Sequence, residues 1–309
     1  MDFTTIGNPG NVADTTGRPN PVGAVAYTYQ IGKYEVSRDM ITKANSLGNL
    51  GISLVDMEHH GGNGSDKPAT GIHFHEAAKF VNWLNTSSGN QAAYNLDGSG
   101  KIQLWGAGQY TESNQFRHKD AYYFLPSVDE WYKAAYGSPT GTWYKHANGS
   151  NSAPTKVASG TDNNTAVYDQ HSSQGPADIT AAGGLSAYGI MGMGGNVREW
   201  NEKSSSSLLD EKGVQRGGSW DDEAGKIFED AAEADVSLDV AQPEIGVPID
   251  VALLAAFAIT EVALDIKLKR TGLRVASVPE PGSASLVILG LAAVLARRRR
   301  SARGVAARS

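Results

Sequence analysis

The chain has 309 residues, with 36 Gly, no Cys and a net charge of −6. This length suits one large domain or two ordinary ones, and the glycine content favours a loop-rich fold over a helical bundle. The absence of cysteine excludes disulfides, Cys-ligated metals and thiol catalysis. Residues 297–309 hold six Arg and no acidic residue, which leaves −12 on the rest of the chain. Such an acidic body argues against a nucleic-acid-binding role.

The first 85 residues predict short strands followed by two helices. Residues 1–23 contain no Lys and no apolar run, so they do not predict a secretory signal. Residues 24–36 predict one or two strands interrupted at Gly32, and Ser37 is placed to cap a helix over residues 38–44. A second helix is predicted over residues 68–85, where one apolar stripe recurs at helical spacing: Ala77, Phe80, Val81 and Leu84.

Two histidine-containing segments lie near this second helix. His59 and His60 belong to a glycine-rich loop and are interpreted as solvated side chains. His73 and Glu76 would share one face of a helix, while His75 points away, so a metal site is an alternative there. We favour ordinary variation at a helix N-terminus over metal binding.

The middle of the chain predicts a hairpin and a third helix. Residues 94–105 form the hairpin, with a turn at Asp97–Gly100. That turn faintly resembles a calcium loop, but Gly106 stands where the bidentate Glu is required. Ser127 and Glu130 form a capping box for a helix that ends by Gly137. Residues 138–187 predict long surface loops.

Six tryptophans and many tyrosines raise the question of which aromatic residues are exposed. Trp200 and Trp220 are interpreted as core residues. Trp105, Trp143 and Tyr144 are better candidates for an exposed aromatic surface.

The stretch from Gly189 to Trp220 combines glycine pairs, tryptophans and single charges. Glu199 within it is either a calcium ligand or a core carboxylate bonded to backbone N–H groups, because a buried carboxylate needs one or the other. Gly192–Gly195 resembles a phosphate-binding loop only superficially, since no strand–helix context supports it.

The amino-acid composition changes twice in the last third of the chain. Residues 223–265 hold ten acidic residues against one Lys, and residues 251–264 predict a buried or amphipathic helix, too short and charged for a membrane span. Residues 271–276 predict a closing strand. Pro279, Glu280 and Pro281 then precede an apolar run, residues 284–296, which predicts a hydrophobic helix.

An arginine cluster follows that apolar run: Arg297, Arg298, Arg299 and Arg300. Such a cluster fits the positive-inside rule, and arginine side chains extend a short helix by snorkelling. The whole tail closely resembles a PEP-CTERM sorting signal. The resemblance implies an exported bacterial protein, often from an exopolysaccharide producer, held transiently in the inner membrane by its C-terminal helix and processed by an exosortase. Export without an N-terminal signal in residues 1–23 is unexpected.

The body resembles the formylglycine-generating enzyme family, also called the sulfatase-modifying factor domain. Six segments match in the family's order: residues 31–36, 68–84, 125–131, 194–200, 216–220 and 272–275. The resemblance implies an α+β, C-type-lectin-like domain with little regular secondary structure over residues 1–276, followed by a sorting segment at 277–309. Residues 224–270 diverge from the family's polar, Arg- and Asn-rich segment.

The resemblance also says which chemistry to expect. Oxidising members bind copper through a cysteine pair, so copper and formylglycine generation are not expected here, and we assign no catalytic residue. A related branch uses iron held by three histidines in a separate helical domain, which the sequence does not show. The family's calcium site would map to the carbonyls of Gly195 and Val197 and the carboxylate of Glu199. A further ligand is lost at Gly192, which weakens the site.

Three functions remain open at this point. The first is an exported, non-catalytic module that binds polysaccharide or another surface protein in the cell envelope or outside the cell. The second is a metal-dependent oxidase with altered chemistry, and the third is a structural envelope protein.

Overall fold

The computed structural model describes residues 1–111, 114–202, 213–224 and 269–279. The chain divides into two compact units, Met1–Ser277 and Val278–Ser309, and only residues 278 and 279 of the second unit are described. The helices predicted at 251–264 and 284–296 lie outside the described residues. Among the residues described, no helix combines the length and apolar character needed to cross a membrane.

The described residues form an α+β fold with short elements joined by long loops. Three α-helices are α1 (Arg38–Gly48), α2 (Phe74–Ser87) and α3 (Val128–Tyr136). The strands are β1 (Phe3–Ile6), β2 (Tyr29–Gly32), β3 (Asn95–Leu96), β4 (Ile102–Gln103), β5 (Tyr110–Thr111), β6 (Asn114–His118), β7 (Tyr123–Phe124), β8 (Thr155–Lys156), β9 (Thr165–Ala166), β10 (Arg198–Asn201), β11 (Val214–Arg216), β12 (Thr271–Gly272) and β13 (Ala276–Ser277). One 3₁₀ turn spans Ser172–Gln174.

Two small sheets organise the first unit. The larger has the order β1-β2-β13-β7 with antiparallel neighbours throughout. The smaller has the order β11-β10-β12, where β10 runs antiparallel to β11 and parallel to β12. Because β12 and β13 are only three residues apart, the segment between them connects the two sheets. The single closing strand expected over residues 271–276 is therefore two short strands in different sheets.

The predicted helix caps at α1 and α3 are confirmed. Ser37 Oγ accepts a hydrogen bond from Met40 N at 3.2 Å. Glu130 N donates to Ser127 Oγ at 3.2 Å while Ser127 N donates to Glu130 Oε2 at 2.6 Å, which is the reciprocal capping box. Helix α3 ends before Gly137, as expected.

Helix α2 begins six residues later than its sequence pattern predicts. Residues 68–73 run extended instead, because their backbone groups bond to distant segments. Ala69 N donates to Val36 O at 2.8 Å, and Gly71 N donates to Thr271 O at 3.2 Å. These long-range bonds cannot be seen in the local apolar periodicity, which correctly marks the buried face of the helix from Ala77 onward.

The predicted hairpin is confirmed as β3 and β4 in antiparallel register. Asp97 N donates to Lys101 O at 2.9 Å, and Asp97 Oδ1 accepts from Ser99 N at 2.8 Å. The carboxylate therefore organises its own turn, an Asx pattern in which the side chain bonds the backbone two residues on.

A continuous apolar core lies between the helices and the larger sheet. Its fully buried members include Ile31 of β2, Phe80 of α2 and Trp131 of α3. Burial of such side chains contributes about 1.5–3 kcal/mol each. This core fixes α3 against the N-terminal segment, and the cleft described below opens at that junction.

Candidate functional site

The turn before β10 depends on two residues in the left-handed region of backbone space. Gly195 has φ of 95° and Asn196 has φ of 61°. A Cβ at Gly195 would lie 2.2 Å from the carbonyl oxygen of Val167, so only glycine fits there. The Asn196 amide is bound at both ends: Ala177 N donates to Oδ1 at 2.8 Å, and Nδ2 donates to Glu35 Oε2 at 2.6 Å.

Glu199 on β10 lies at the centre of a buried ion pair. Its carboxylate and the Arg274 guanidinium are both fully buried, with Nη2 to Oε1 at 2.6 Å and Nε to Oε2 at 3.0 Å. Trp131 Nε1 donates to Oε2 at 2.7 Å. The remaining arginine donors reach the carbonyl oxygens of Gly32 at 2.9 Å and Met191 at 2.8 Å. A forked arginine–carboxylate pair of this kind is specific in geometry and costly to break.

This arrangement does not fit calcium at the position implied by the family resemblance. Calcium prefers six to eight oxygen ligands, and at Glu199 it would meet a guanidinium already bound to both carboxylate oxygens. Glu199 therefore has the form of a core carboxylate, with an arginine and an indole N–H as its partners rather than backbone N–H groups. The carbonyls of Gly195 and Val197 lie in the turn that leads into it.

Glu35 is a second buried carboxylate beside this pair. Its Oε1 has no hydrogen-bond partner, and a Cβ built on Gly192 would lie 3.2 Å from that oxygen. Burial raises the pKa of Glu35 to about 8, although the nearby Arg274 acts in the opposite direction. Glu35 therefore occupies the space beside the residue where the family's further ligand is lost, and it is largely protonated at neutral pH.

A further buried network, not anticipated from the sequence, joins β6, α3 and Glu202, the residue that follows β10. Arg117 Nη2 lies 2.8 Å from Glu130 Oε2 and 2.5 Å from Glu202 Oε2. Tyr94 OH donates to Glu202 Oε1 at 2.5 Å, and the Arg117 guanidinium lies 3.8 Å from the centre of the Phe124 ring. Burial would raise the pKa of Glu130, but Arg117 outweighs it and the pKa is lowered, whereas burial keeps the pKa of Glu202 raised.

The two tryptophans of the central stretch are core residues. Trp200 is 8% exposed and Trp220 is 1% exposed. Trp200 Nε1 donates to the Ile72 carbonyl at 2.7 Å, which satisfies its one polar atom. Arg198 forms a forked pair with Asp222, with Nη2 to Oδ1 at 2.7 Å and Nε to Oδ2 at 3.1 Å.

The histidine segments show no metal-ligand grouping. Glu76 is used as a helix cap: its Oε2 accepts from His73 N at 2.9 Å and its Oε1 from Ser53 N at 3.0 Å. His60 Nδ1 lies 2.8 Å from the Ser172 carbonyl oxygen. Within the parts of the chain that the structure describes, no three His, Asp or Glu side chains gather as a potential metal site.

A cleft of about 540 Å³ opens between α3, the loop after it and the N-terminal segment. This volume falls within the range of small-molecule sites, about 300–1,000 Å³. Four aromatic residues line it: Tyr132, Tyr136, Trp143 and Tyr144. The rings of Tyr132 and Trp143 lie 5.5 Å apart, and those of Tyr132 and Tyr136 lie 4.7 Å apart. Two of the three aromatic residues expected to be exposed, Trp143 and Tyr144, thus line this cleft.

Polar side chains form the rest of the lining. Asp14 is nearly buried and accepts from Thr16 N at 2.8 Å, from Thr16 Oγ1 at 2.7 Å and from Tyr132 OH at 2.9 Å. Burial would raise the pKa of Asp14, but these hydrogen bonds outweigh it and the net pKa is lowered. The remaining polar side chains are Arg18, Lys145, His146 and Asn151.

Trp105 lies outside this cleft. Its Nε1 donates to the Ala93 carbonyl at 2.9 Å, and its ring meets the His118 ring edge-on at 4.7 Å. No local pattern beside Trp105 or Trp143 shows which of the two lines a cleft. The N-terminal half of the cleft was not anticipated, since residues 14–18 carry no distinctive motif.

The described part of the chain combines three α-helices with small sheets. Buried ion pairs join residues that are far apart in sequence. The model of the sulfatase-modifying factor enzyme 1-like domain matches residues 7–249, which is most of the chain. The chain therefore belongs to that family. The PEP-CTERM protein-sorting motif matches residues 277–300, so the protein is exported, associated with the cell envelope and processed by an exosortase. Pro279 is the only one of the predicted sorting residues that is described; Glu280, Pro281 and Arg297–Arg300 lie outside the described residues.

Solved structures share the fold. Treponema denticola variable protein 1 is similar with a TM-score of 0.54 and 19% identity, over 90% of this chain and 95% of that chain. CarF is similar with a TM-score of 0.53 and 15% identity, over 91% of this chain and 99% of that chain. No curated protein matches the chain. At these identities the likeness shows the fold alone.

Proposed function

We propose that this protein is a non-catalytic ligand-binding module of the cell envelope, and that the ligand occupies the aromatic cleft. The sorting motif directs the protein to the cell envelope. The domain provides the binding surface, and its family implies a C-type-lectin-like arrangement. The observation that carries the proposal is the cleft itself, in which two half-buried aromatic residues, Trp143 and Tyr144, lie beside polar side chains. Binding sites typically combine an apolar lining with a few polar groups.

The chemistry of the chain supports binding over formylglycine formation. The full sequence has no Cys, so the copper-binding cysteine pair of the oxidising members has no counterpart. In and just after the central stretch, the carboxylates of Glu199 and Asp222 are each bound by an arginine. These groups stabilise the fold, which leaves recognition to the cleft.

Further parts of the proposal concern attachment and partners. The apolar run at 284–296 would anchor the protein in the inner membrane until the exosortase acts, with Arg297–Arg300 on the cytoplasmic side. The ligand would be a polysaccharide or another surface protein. Calcium is not required for this role, because Glu199 is neutralised by Arg274.

The test is binding of the full chain to a panel of immobilised bacterial polysaccharides and envelope proteins. We expect retention of at least one panel member, with a dissociation constant raised at least about tenfold by Trp143→Ala. Trp105→Ala is the matched control, because it removes a tryptophan outside the cleft. Both variants should unfold at a temperature close to that of the wild type before their affinities are compared.

Two results would overturn the proposal. One is binding that is equally strong in the Trp143 and Trp105 variants, which would place the ligand elsewhere. The other is copper-dependent conversion of a cysteine peptide to formylglycine by the purified protein, which would make it an enzyme.

A further inference from the structure

We infer that the ammonium of Lys133 forms a binding site for a small monovalent anion such as chloride. This site is separate from the aromatic cleft and does not depend on the proposed function. Three observations carry the inference: the lysine is buried, its ammonium has no counter-ion among the described residues, and a recess for one small particle lies beside it.

Lys133 lies on the face of α3 that packs against the N-terminal segment. The residue is 1% exposed, and its Nζ donates one hydrogen bond, to the carbonyl oxygen of Asn8 at 2.9 Å. An ammonium group carries three N–H donors, so two of them have no acceptor among the described residues. Buried charges are normally paired, because removing an unpaired charge from water is costly.

The carboxylates nearest to Lys133 in sequence do not supply a counter-ion. Asp129 Oδ1 accepts a hydrogen bond from Gly23 N at 2.7 Å, and Glu130 is bound by Arg117. Among the described residues, no carboxylate forms an ion pair with Lys133 Nζ. Burial lowers the pKa of Lys133 to about 8, so the ammonium form still predominates at neutral pH. The folded protein therefore holds a cation that an anion from solution would neutralise.

A recess of about 10 Å³ lies beside Lys133, and its lining includes Asn8, Gly141, Thr142 and Tyr188. A space of this size is just enough for one water-sized particle. It therefore suits a monatomic anion and excludes tetrahedral oxyanions such as sulfate. Gly141 and Thr142 are exposed, which leaves a way into the recess from solvent.

Neutral donors in the lining can complete the contacts to an anion. The side-chain amide of Asn8 makes no hydrogen bond with a described residue, and its Nδ2 would lie 3.3 Å from a Cβ built on Gly141. Thr142 Oγ1 has only a long contact with Thr140 Oγ1, at 3.5 Å. Amide N–H and hydroxyl groups both donate to anions. Burial raises the pKa of Tyr188, so this side chain adds no negative charge to the recess at neutral pH.

The recess shares Trp143 with the aromatic cleft, since this residue lines both. The loop between α3 and Trp143 is held by a hydrogen bond from Thr142 N to Ser138 Oγ at 2.9 Å. An anion bonded to Lys133 and Thr142 would brace the same loop. Anion binding would therefore stabilise one wall of the cleft without contact with a ligand there.

The experiment is chlorine-35 NMR of the full chain titrated with sodium chloride at neutral pH, in which exchange with a bound site broadens the chloride signal. We expect saturable broadening that sodium sulfate does not remove, because sulfate is too large for the recess. The six arginines of residues 297–309 also attract chloride, but sulfate should displace it from them. Lys133→Met should abolish the sulfate-resistant broadening. Lys119→Met, which replaces an exposed lysine outside the recess, should leave it intact.

A second measurement uses the wild type alone and remains decisive if Lys133→Met does not fold. Only the ammonium form of Lys133 attracts an anion, and its pKa is about 8. The apparent chloride affinity of the sulfate-resistant site should therefore fall about tenfold between pH 7 and pH 9.

Three results would overturn the inference. The first is no broadening, or broadening that sulfate removes completely, which would mean that water fills the recess and that only the arginine-rich tail attracts chloride. The second is sulfate-resistant broadening that persists in a folded Lys133→Met variant, which would place the anion elsewhere. The third is an affinity that stays the same between pH 7 and pH 9, because the site would then contain no titrating lysine.

Discussion

The central ion pair and the aromatic cleft both place charged and aromatic residues side by side, but they use them in opposite ways. At the centre, Arg274 and Glu199 are fully buried and satisfy each other, with Trp131 completing the contacts. In the cleft, Lys145 is exposed and its ammonium has no partner among the described residues. The central ion pair is therefore satisfied inside the protein, whereas Lys145 of the cleft is exposed to solvent.

This contrast explains why motif-rich segments can mislead. The segment with the most family motifs, Gly189–Trp220, contains Glu199, whose carboxylate is bound within the protein by Arg274 and Trp131. The cleft is formed by the end of α3, the loop after it and the N-terminal segment, and the core keeps these parts in place. We therefore expect substitutions at the centre to change stability and substitutions in the cleft to change binding.

Arg274→Gln should cause the largest loss in the free energy of unfolding. It leaves the Glu199 carboxylate buried without its cation, and removal of one partner from a buried pair costs about 3–5 kcal/mol. Urea denaturation followed by tryptophan fluorescence measures this loss. Lys156→Gln is the control, because its exposed pair with Asp169 contributes at most about 1 kcal/mol. Equal unfolding midpoints for the two variants would contradict the assigned role of the central pair.

Gly195→Ala should cause the next largest loss in the free energy of unfolding. The added Cβ would meet the Val167 carbonyl at 2.2 Å with φ at 95°, so strain and displacement together should cost about 3 kcal/mol. Gly108→Ala is matched in backbone, with φ of 84°, but has nothing within 4 Å of the new Cβ. It should cost about 1 kcal/mol. Comparable losses in the two variants would show that the close approach of Val167 has no energetic consequence.

Glu35→Gln should alter the pH dependence of stability. Because burial raises the Glu35 pKa to about 8 in the folded protein, the folded state holds its proton where the unfolded state has released it. This stabilisation is complete below the unfolded pKa of about 4.3 and is lost as pH rises through about 8. The wild type should lose stability over this window with a slope of up to about 1.4 kcal/mol per pH unit, and the variant should lose less.

Glu58→Gln provides the control for that pH series, since Glu58 is an exposed loop residue. Denaturant titrations at several pH values should give parallel curves for Glu58→Gln and the wild type. A Glu35→Gln curve that also runs parallel to the wild type would refute the buried, protonated state of Glu35.

The cleft variant Lys145→Gln should barely change stability, because Lys145 is exposed. Surface substitutions away from buried contacts usually remain within about 0.5 kcal/mol, so the unfolding midpoint of this variant should match that of the wild type. A large stability loss, measured by urea denaturation, would mean that Lys145 belongs to the scaffold, and the distinction between the two regions would disappear.

Calcium should have no effect on stability. Because Glu199 is bound to Arg274, neither calcium nor a chelator should shift the melting temperature. A ligand at about one hundred times its dissociation constant would stabilise the fold by about 2.7 kcal/mol, so a clear upward shift with calcium would restore the calcium site implied by the family resemblance.

Local features of the fold could be predicted from the sequence, and long-range ones could not. The helix caps at Ser37 and Ser127 and the turn at Asp97 each depend on residues within four positions of each other. Their patterns can therefore be recognised in the sequence. Arg274 and Glu199 are 75 positions apart, and Arg117 and Glu202 are 85 apart. The sequence around each of these residues contains no pattern that identifies its partner, because the pairing depends on how the sheets associate. The same reason conceals the cleft, whose two walls are more than one hundred residues apart in sequence.

The carboxylate of Glu130 takes part in a local contact within α3 and in a long-range contact with another strand. One oxygen, Oε2, both accepts the Ser127 amide that starts α3 and receives Arg117 from β6. The first turn of α3 therefore cannot open without also breaking a contact to a separate strand. Hydrogen exchange at the amides of that turn should proceed only through unfolding of the whole first unit, with none of the fraying usual at helix ends. The wall of the cleft that α3 carries would then persist for as long as the domain stays folded.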